Sequence, residues 1–551
     1  MSFEKLDQLA EKERERQSKL SHRIHCCTST ACLSSGARET MDAFNASWET
    51  SEEAEQKVEV VQTGCTGLCS HGPLVRIDGD GGEQTLYGEV TPDSAEKIFN
   101  FHTQADSTVD DDLSGLRIPT DLAFFTKQTK VVLRHVGHID PESLDDYLAH
   151  GGYATLYRIL NEMSPQEVCD QILESGLRGR GGAGFPTGIK WNFVREQDSF
   201  PKYVVVNGDE GDPGAYMDRT VMEANPHQLL EGLLIAAYAV GASQGYFYIR
   251  AEYPIAVDRI RRAIRDARRR KLLGRSVLGS DFEFAADVRI GAGAFVCGEE
   301  TALIHSIEGK RGVPRMRPPY PSTSGLWGQP TVINNVETIA NVPVILEKGA
   351  DWFANIGTEK SKGTKVFALT GELRNTGLIE VPMGITLREI VEDIGQGVPG
   401  EREFKAAQTG GPSGGCIPAE HLDTPVDYEN LQRLGSIMGS GGLVMIDSAT
   451  SMPQFARFFI DFCVDESCGK CVPCRVGTVQ IREILDKILA GDGTLEDLDR
   501  LESLCGTVKT ASLCGLGQSA PNPVLSTLRF FRHEYEALIN HENETEAVTA
   551  S

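Results

Sequence analysis

Three thiols, Cys468, Cys471 and Cys474, sit with two residues between neighbours in a turn over residues 466–477 that also contains Gly469 and Pro473. A loop of this C-x₂-C-x₂-C form wraps three corners of a four-iron cubane, and the fourth thiolate then has to come from elsewhere in the chain. Cys514 is the better candidate for that ligand and Cys505 the alternative. A structural zinc site would ordinarily bring two separated cysteine pairs instead. An iron–sulfur cluster makes the chain an electron carrier, so the remaining sequence must supply its electrons.

With 551 residues, 40% of them hydrophobic, the chain can bury several cores, and its length suggests about three or four domains. A net charge of −25 repels nucleic-acid phosphates and anionic membrane surfaces alike. No stretch reaches the ~18 uninterrupted apolar residues of a spanning helix. The longest, over 229–240, is broken by Glu231 and Gly232, and the charged segment 4–19 has no apolar core of a signal peptide. The expectation is a soluble, cytoplasmic protein with no direct membrane insertion. Its fourteen cysteines fall in two tight groups with singles between, a pattern of reduced thiolates holding metal rather than of disulfides.

Residues 3–20 have the charge pattern of a solvated helix, and a compact unit carrying the first cysteine group follows, ending near His102. Residues 104–115, with Asp110, Asp111 and Asp112, read as an acidic linker. From Pro119 to about Leu346, helical patterns alternate with short apolar runs such as 203–207 and 246–250, which predicts α/β architecture. Residues 363–447 are glycine-rich, with β-like runs at 365–369 and 443–446 and one helix near 387–394, as in a small α+β domain. After Met452 the apolar spacing turns helical, which places the second cysteine group in a helical bundle.

The first group comprises Cys27 and Cys32 (C-x₄-C) and Cys65 and Cys69 (C-x₃-C). Two sulfide-bridged irons need two thiolates each, and two loops supplying two apiece satisfy that requirement. Together with the surroundings of Cys65 and Cys69 and the run Tyr87, Gly88, Glu89, Val90, the spacing resembles the thioredoxin-like two-iron ferredoxin domain, a fold also present in a small subunit of respiratory complex I. The x₄ spacing selects Cys27 and leaves Cys26 spare or as an alternative ligand.

Gly179, Gly181 and Gly184 formally make G-x-G-x-x-G, but Val168, Ile172, Leu173 and Leu177 ahead of them repeat at helical spacing. The loop thus follows a helix, whereas the dinucleotide fingerprint follows a strand. Closely spaced glycines still let backbone N–H groups approach a phosphate or a flat ring, with Arg180 and Lys190 as nearby positive charge. Two further loops, 207–213 and 291–303, lie at the C-terminal ends of apolar strands, where open α/β sheets place ligands.

This order of motifs, with Arg317 to Pro321, Asn334 to Thr338 and the C-terminal cysteines, closely resembles the NADH-binding, FMN-containing subunit of complex I over about 119–533. The resemblance implies that Gly179, Arg180, Gly181, Gly182 and Lys190 cradle FMN, with Asn207, Asp209, Glu210, Asn334 and Asn335 completing its polar shell. It implies that Phe185, Phe193, Asp212, Glu299, Glu300, Arg317 and Tyr320 face NAD(H). Phe185 and Tyr320 suit stacking on adenine, and Glu300 suits orienting nicotinamide or ribose. The fourth cubane ligand then matches Cys514, which leaves Cys505 as core. The chain departs from the family pattern with Asp212 for Glu, Phe295 for Tyr and Tyr320 for Phe. Cys169, Cys297, Cys416 and Cys463 lack partners at ligand spacing and read as small buried hydrophobes.

The organisation that the resemblance implies is a thioredoxin-like 2Fe-2S domain (1–103), a linker (104–118), a Rossmann-like FMN/NADH domain (119–350), a ubiquitin-like β-grasp domain (351–450) and a helical bundle with a 4Fe-4S cluster (451–551). FMN converts between hydride and single electrons, so no side chain is needed as nucleophile or proton donor at the hydride step. A two-iron domain fused to the flavoprotein core looks like the diaphorase subunit of bidirectional NAD-reducing nickel-iron hydrogenases. The corresponding subunit of NAD-dependent formate dehydrogenases is a close competitor. Either assignment implies partner iron–sulfur subunits and a hydrogenase or formate dehydrogenase module.

Overall fold

Three sheets form among residues 3–51, 57–104 and 111–549, which the computed structural model describes. The first contains β1 (His22–Cys27), β2 (Val58–Thr63), β3 (Val75–Asp78), β4 (Gln84–Tyr87) and β5 (Arg117–Ile118), in the order β2-β1-β3-β4-β5. Side chains alternate across a strand, and this separates the cysteine doublet ending β1. Cys26 enters a core with Ile24, Phe44, Val75 and Tyr87, while Cys27 lies on the other face with Cys32 and Leu68.

Two expectations about this region are corrected. The helix Phe3–Gln17 is not solvated all round: Leu6 and Ala10, one turn apart, are buried in the core of the central α/β unit. Of the expected linker, 105–110 lies outside the described residues, and its end is structural. Asp111–Ser114 forms a helical turn, and Arg117–Ile118 pairs with β4 as an edge strand.

The central sheet contains β6 (Tyr203–Gly208), β7 (Gln244–Arg250), β8 (Ala285–Gly291) and β9 (Thr331–Asn335). All pairs are parallel, and the order is β8-β7-β6-β9. The chain steps outward from β6 to β8 and then returns to the far side of β6, so strand order reverses between β6 and β9. The apolar run over 229–240 becomes the helix Pro226–Val240, buried against this sheet. Its Glu231 is reconciled with burial by accepting the Tyr147 hydroxyl (2.6 Å) and the Tyr153 and Leu156 amides (2.9 and 3.1 Å).

The third sheet contains β10 (Thr364–Gly371), β11 (Gly377–Pro382), β12 (Phe404–Thr409), β13 (Cys416–Pro418) and β14 (Gly442–Asp447), in the order β11-β10-β14-β12-β13. Only β10 and β14 run parallel in it. The helix expected near 387–394 is a π-helical turn, Glu389–Ile394. Helices Met452–Asp465, Val472–Leu489, Leu495–Ala511 and Asn522–Thr549 pack as the C-terminal bundle.

The units share cores and buried polar joints. Lys365 of β10 and Glu337, in the helix Val336–Lys348 that follows β9, form an ion pair with side chains 0% and 1% exposed. The ammonium also donates to the Val366 and Ser440 carbonyls at 2.8 and 2.6 Å, and the carboxylate accepts the Val366 amide at 2.9 Å. Removing one partner of such a pair strands a buried charge at a cost of about 3–5 kcal/mol. Lys365→Met is therefore expected to lower stability by about that much, and the double variant Lys365→Met with Glu337→Leu to recover most of it, as read from denaturant unfolding.

Acid will act on other buried groups. Burial pushes His135, His138 and His227 down to about 3 each, and His138 meets the Arg76 guanidinium of the N-terminal unit at 2.7 Å. These imidazoles stay neutral in the fold while the unfolded chain takes up protons below ~6.5, so stability falls as pH drops from ~6.5 toward ~3. Thermal midpoints recorded across that range are expected to decline, and less steeply in His138→Gln.

Candidate functional site

The C-terminal ends of β6 and β9 lie side by side, with Asn207 in register with Asn335. This crevice at the reversal of strand order is where an open α/β sheet binds ligands. The glycine-rich loop enters it from the helix Pro165–Glu174 and leaves through Thr187–Arg195, so it follows a helix as its sequence predicts. Gly182 has φ +116°, and a Cβ there would lie 3.2 Å from the Gly439 backbone, so only glycine fits this passage against the third sheet. Tyr428 donates its hydroxyl to the Gly179 carbonyl at 2.8 Å, and Arg178 stacks on the Tyr428 ring at 4.2 Å.

Several side chains of the expected ligand shell are engaged by the protein itself. Arg180 is 0% exposed and donates to the carbonyls of Thr364 (3.0 Å), Arg178 (2.9 Å) and Lys362 (2.7 Å). This corrects its reading as a cation held beside the loop: the guanidinium ties the loop to β10. Glu210 accepts the Asp218 and Arg219 amides, both at 3.0 Å, at the start of the helix Met217–Ala224. Glu299 caps the helix Glu300–Ile307 through the Thr301 and Ala302 amides at 2.9 and 3.0 Å. Asn335 caps Val336–Lys348 and donates to Asp218, and Asn207 bridges to the Gly298 carbonyl at 3.0 Å. A carboxylate or amide oxygen is the natural acceptor for the free amides of a helix start, so these residues shape the loops.

Asp209 is different. Its side chain is 1% exposed, both carboxylate oxygens are buried without a hydrogen bond, and the nearest cation, Arg250, stands 3.8 Å away. Burial raises it to about 7. An unpartnered buried carboxylate is costly, and one at the crevice fits a ligand that brings hydroxyl donors. Half-buried Asp212 accepts the Ser440 hydroxyl at 2.9 Å and is raised to about 6 by burial. Lys190 pairs with Glu300 and donates to the Ile333 carbonyl at 3.0 Å, and Arg317 lies 3.7 Å from Glu300. Trp191, which sequence reasoning passed over, fixes Asn334 by an indole hydrogen bond of 2.9 Å. Phe185, Phe193 and Tyr320 remain 45%, 48% and 56% exposed. Large aromatic faces left open beside charged groups suit a flat ring system.

The C-terminal thiols meet as the spacing requires. Cys468, Cys471, Cys474 and Cys514 line one recess with Val296, Pro314, Ser467, Lys470, Leu513 and Leu516. Cys505 does not reach it; it is 0% exposed in the core of the helical bundle. Among the described residues, no three His, Cys, Asp or Glu side chains close on the position of a single ion. Four sulfurs bounding a void fit a cubane. Residues 291–299 link the recess to the crevice, because Val296 lines the recess and the Phe295 amide donates to Glu466 at 2.8 Å.

In the N-terminal unit, Cys27 lies within hydrogen-bonding reach of Cys32 and Cys65, and Cys65 is 3.7 Å from Cys69. The four thiols thus gather across two loops, as two bridged irons require. Cys26, Cys169, Cys297, Cys416 and Cys463 are buried.

Comparison with known proteins agrees with this geometry. Residues 172–344 match the Nuo51 FMN-binding domain, 454–538 the NADH-ubiquinone oxidoreductase-F iron-sulfur binding region, and 13–102 the thioredoxin-like [2Fe-2S] ferredoxin. The chain is 56% identical over 414 residues to the NADP-reducing hydrogenase subunit HndC of Solidesulfovibrio fructosivorans, covering 75% of this chain and 84% of that protein. It is 47% identical over 409 residues to an F-type NADH-quinone oxidoreductase subunit of Rhizobium meliloti (strain 1021), covering 74% and 97%. The crystal structure of an NAD⁺-reducing [NiFe]-hydrogenase in the H₂-reduced state superposes with a TM-score of 0.67 at 30% identity, covering 97% of this chain and 90% of that one. Among the described residues, no helix is long and apolar enough to cross a membrane. With these identities over most of both chains, the protein belongs to the F-type family of NADH-quinone oxidoreductase subunits, and it carries a thioredoxin-like [2Fe-2S] ferredoxin domain at its N-terminal end.

Proposed function

We propose that the chain is the diaphorase subunit of an NAD-linked hydrogenase in the cytoplasm, taking electrons from NADH, or returning them, and exchanging them with partner iron–sulfur subunits. The observation that carries this reading is the path of residues 291–299, which runs from the strand-end crevice, where Gly298 is bound by Asn207, to the four-thiol recess, where Val296 forms a wall. One short loop thus spans the place where a nucleotide enters and the place where single electrons would leave.

When bound, FMN supplies the conversion between hydride and one-electron chemistry. The chain's own residues provide alignment and field. The loop of Gly179, Gly181 and Gly182, anchored by Arg180, would give the flavin a rigid floor, and Asp209 would accept hydrogen bonds from hydroxyls. Asn207, Asn334 and Asn335 complete the polar wall. Phe185 and Tyr320 would stack on the adenine, Phe193, Asp212 and Arg317 would face the nucleotide, and Glu300, held by Lys190, would orient nicotinamide or ribose. Glu210 and Glu299 serve as the capping groups of this wall. Cys468, Cys471, Cys474 and Cys514 would hold the four-iron cluster, and Cys27, Cys32, Cys65 and Cys69 the two-iron cluster. By this assignment 1–103 with the strand Arg117–Ile118 is the two-iron domain, 119–350 the FMN/NADH domain, 351–450 the β-grasp domain and 451–551 the four-iron bundle.

Under anaerobic titration with NADH, flavin absorbance is expected to bleach while a low-temperature EPR signal of a reduced four-iron cluster grows. A protein that binds iron yet stays inert to NADH would overturn the reading. Cys514→Ser is expected to lose the four-iron signal, and Cys505→Ser to keep it, because only the first thiol reaches the recess.

A further inference from the structure

One cation spans the strand ends that open onto the crevice. Arg250 closes β7, in register with Gly291 at the end of β8 and one residue beyond Ile249, which pairs with Gly208 of β6. Its Nη2 donates to Glu252 at 2.7 Å and to the Gly293 carbonyl at 2.9 Å. Its Nη1 is buried, makes no hydrogen bond and stands 3.8 Å from Oδ1 of Asp209, the residue that follows β6. A single guanidinium thus reaches both the loop 207–213 and the loop 291–303. Gly211 leaves the room it occupies, because a Cβ there would lie 2.3 Å from Nη1.

The two acids beside Arg250 stand in different surroundings. Glu252 has a side chain 50% exposed, so water screens its pair. Asp209 is 1% exposed, and Arg250 is its nearest cation. Burial raises Asp209 to about 7, Glu252 and Glu466 push in the same direction, and Arg250 opposes them. The separation is as important as the charge. At 3.8 Å the guanidinium offsets the carboxylate without occupying a lone pair, so both oxygens stay open to a ligand.

We propose that Arg250 is a positioning residue of the flavin crevice: it holds Asp209 at the strand ends as a charged acceptor, so that hydroxyls of the flavin meet a carboxylate instead of a neutral acid. The inference rests on the reading of this crevice as the FMN site. A hydrogen bond to an ionised acceptor is roughly twice as strong as one between neutral groups. Without Arg250, the buried acid would take up a proton and lose that advantage.

The test is equilibrium binding of FMN to the full-length protein after flavin removal, read by quenching of flavin fluorescence. Arg250→Gln removes the charge and keeps an amide donor. At a pH of about 8 it is expected to raise the dissociation constant about tenfold, the step from a charge-assisted to a neutral hydrogen bond. That deficit is expected to shrink as pH rises toward ~10, where the unpaired acid ionises again, and to vanish in the Asp209→Asn background. Arg250→Lys, which keeps the charge, is expected to restore most of the affinity. A deficit that is the same at both pH values and in the Asp209→Asn background would give Arg250 a packing role and overturn the inference. Wild-type affinity in Arg250→Gln, or binding by Arg250→Lys as weak as by Arg250→Gln, would overturn it too. A wild-type protein that takes up no FMN would instead overturn the reading of the crevice beneath it.

Discussion

The buried pair of Glu337 and Lys365 sets the geometry on which the crevice depends. Neither charge can be left alone in that interior, so the helix after β9 and the strand β10 must meet wherever the chain folds. Everything near the glycine-rich loop hangs on this junction. The Arg180 amide donates to Thr338 at 2.8 Å, one residue beyond Glu337, and its guanidinium donates to the Thr364 carbonyl, one residue before Lys365. Ser440 receives the Lys365 ammonium on its carbonyl and gives its hydroxyl to Asp212. A single desolvated ion pair thereby fixes the floor of the site and one of its acids.

Acidic residues play two roles, and the difference is physical. Glu210, Glu231, Glu299 and Glu380 commit their oxygens to backbone amides: Glu380, for example, accepts those of Val131, Val132 and Leu133 at 2.9, 3.0 and 2.9 Å. Such carboxylates replace missing secondary-structure partners and stabilise irregular loops inside a protein. Asp209 does none of this, and its two unbonded oxygens at the strand ends set it apart from its neighbours in the same loop. The distinction is invisible in the run Asp209, Glu210, Asp212, where the acids look equivalent.

The domain seams carry as much of the site as the domains do. The four-thiol recess is closed by Val296 and Pro314 of the α/β unit as well as by the bundle cysteines. The N-terminal cysteine loop is pressed against the helix Met217–Ala224, where a Cβ on Gly64 would meet the Ala224 side chain. Electron transfer falls steeply with distance, so a chain that fuses its redox units gains by sharing walls between them.

Cysteine spacing by itself determined the number and kind of clusters, because ligand geometry is local: three thiols two residues apart suit only a few occupants. The alternation of helical and apolar runs determined the α/β class of the centre, and the order of motifs determined the family. What spacing left open was decided by packing. Strand alternation turned Cys26 into a core and left Cys27 on the face of Cys32. The run of the bundle helices buried Cys505 and delivered Cys514 to the recess. Arg180 was legible as a cation beside glycines, but only the fold brought Lys362 and Thr364, some 180 residues away, to engage its donors. The seam between the N-terminal and central units had no signature at all: Thr30 meets Glu223 and Gly64 meets Ala224 there, and such long-range contacts are set by tertiary structure, not by spacing along the chain.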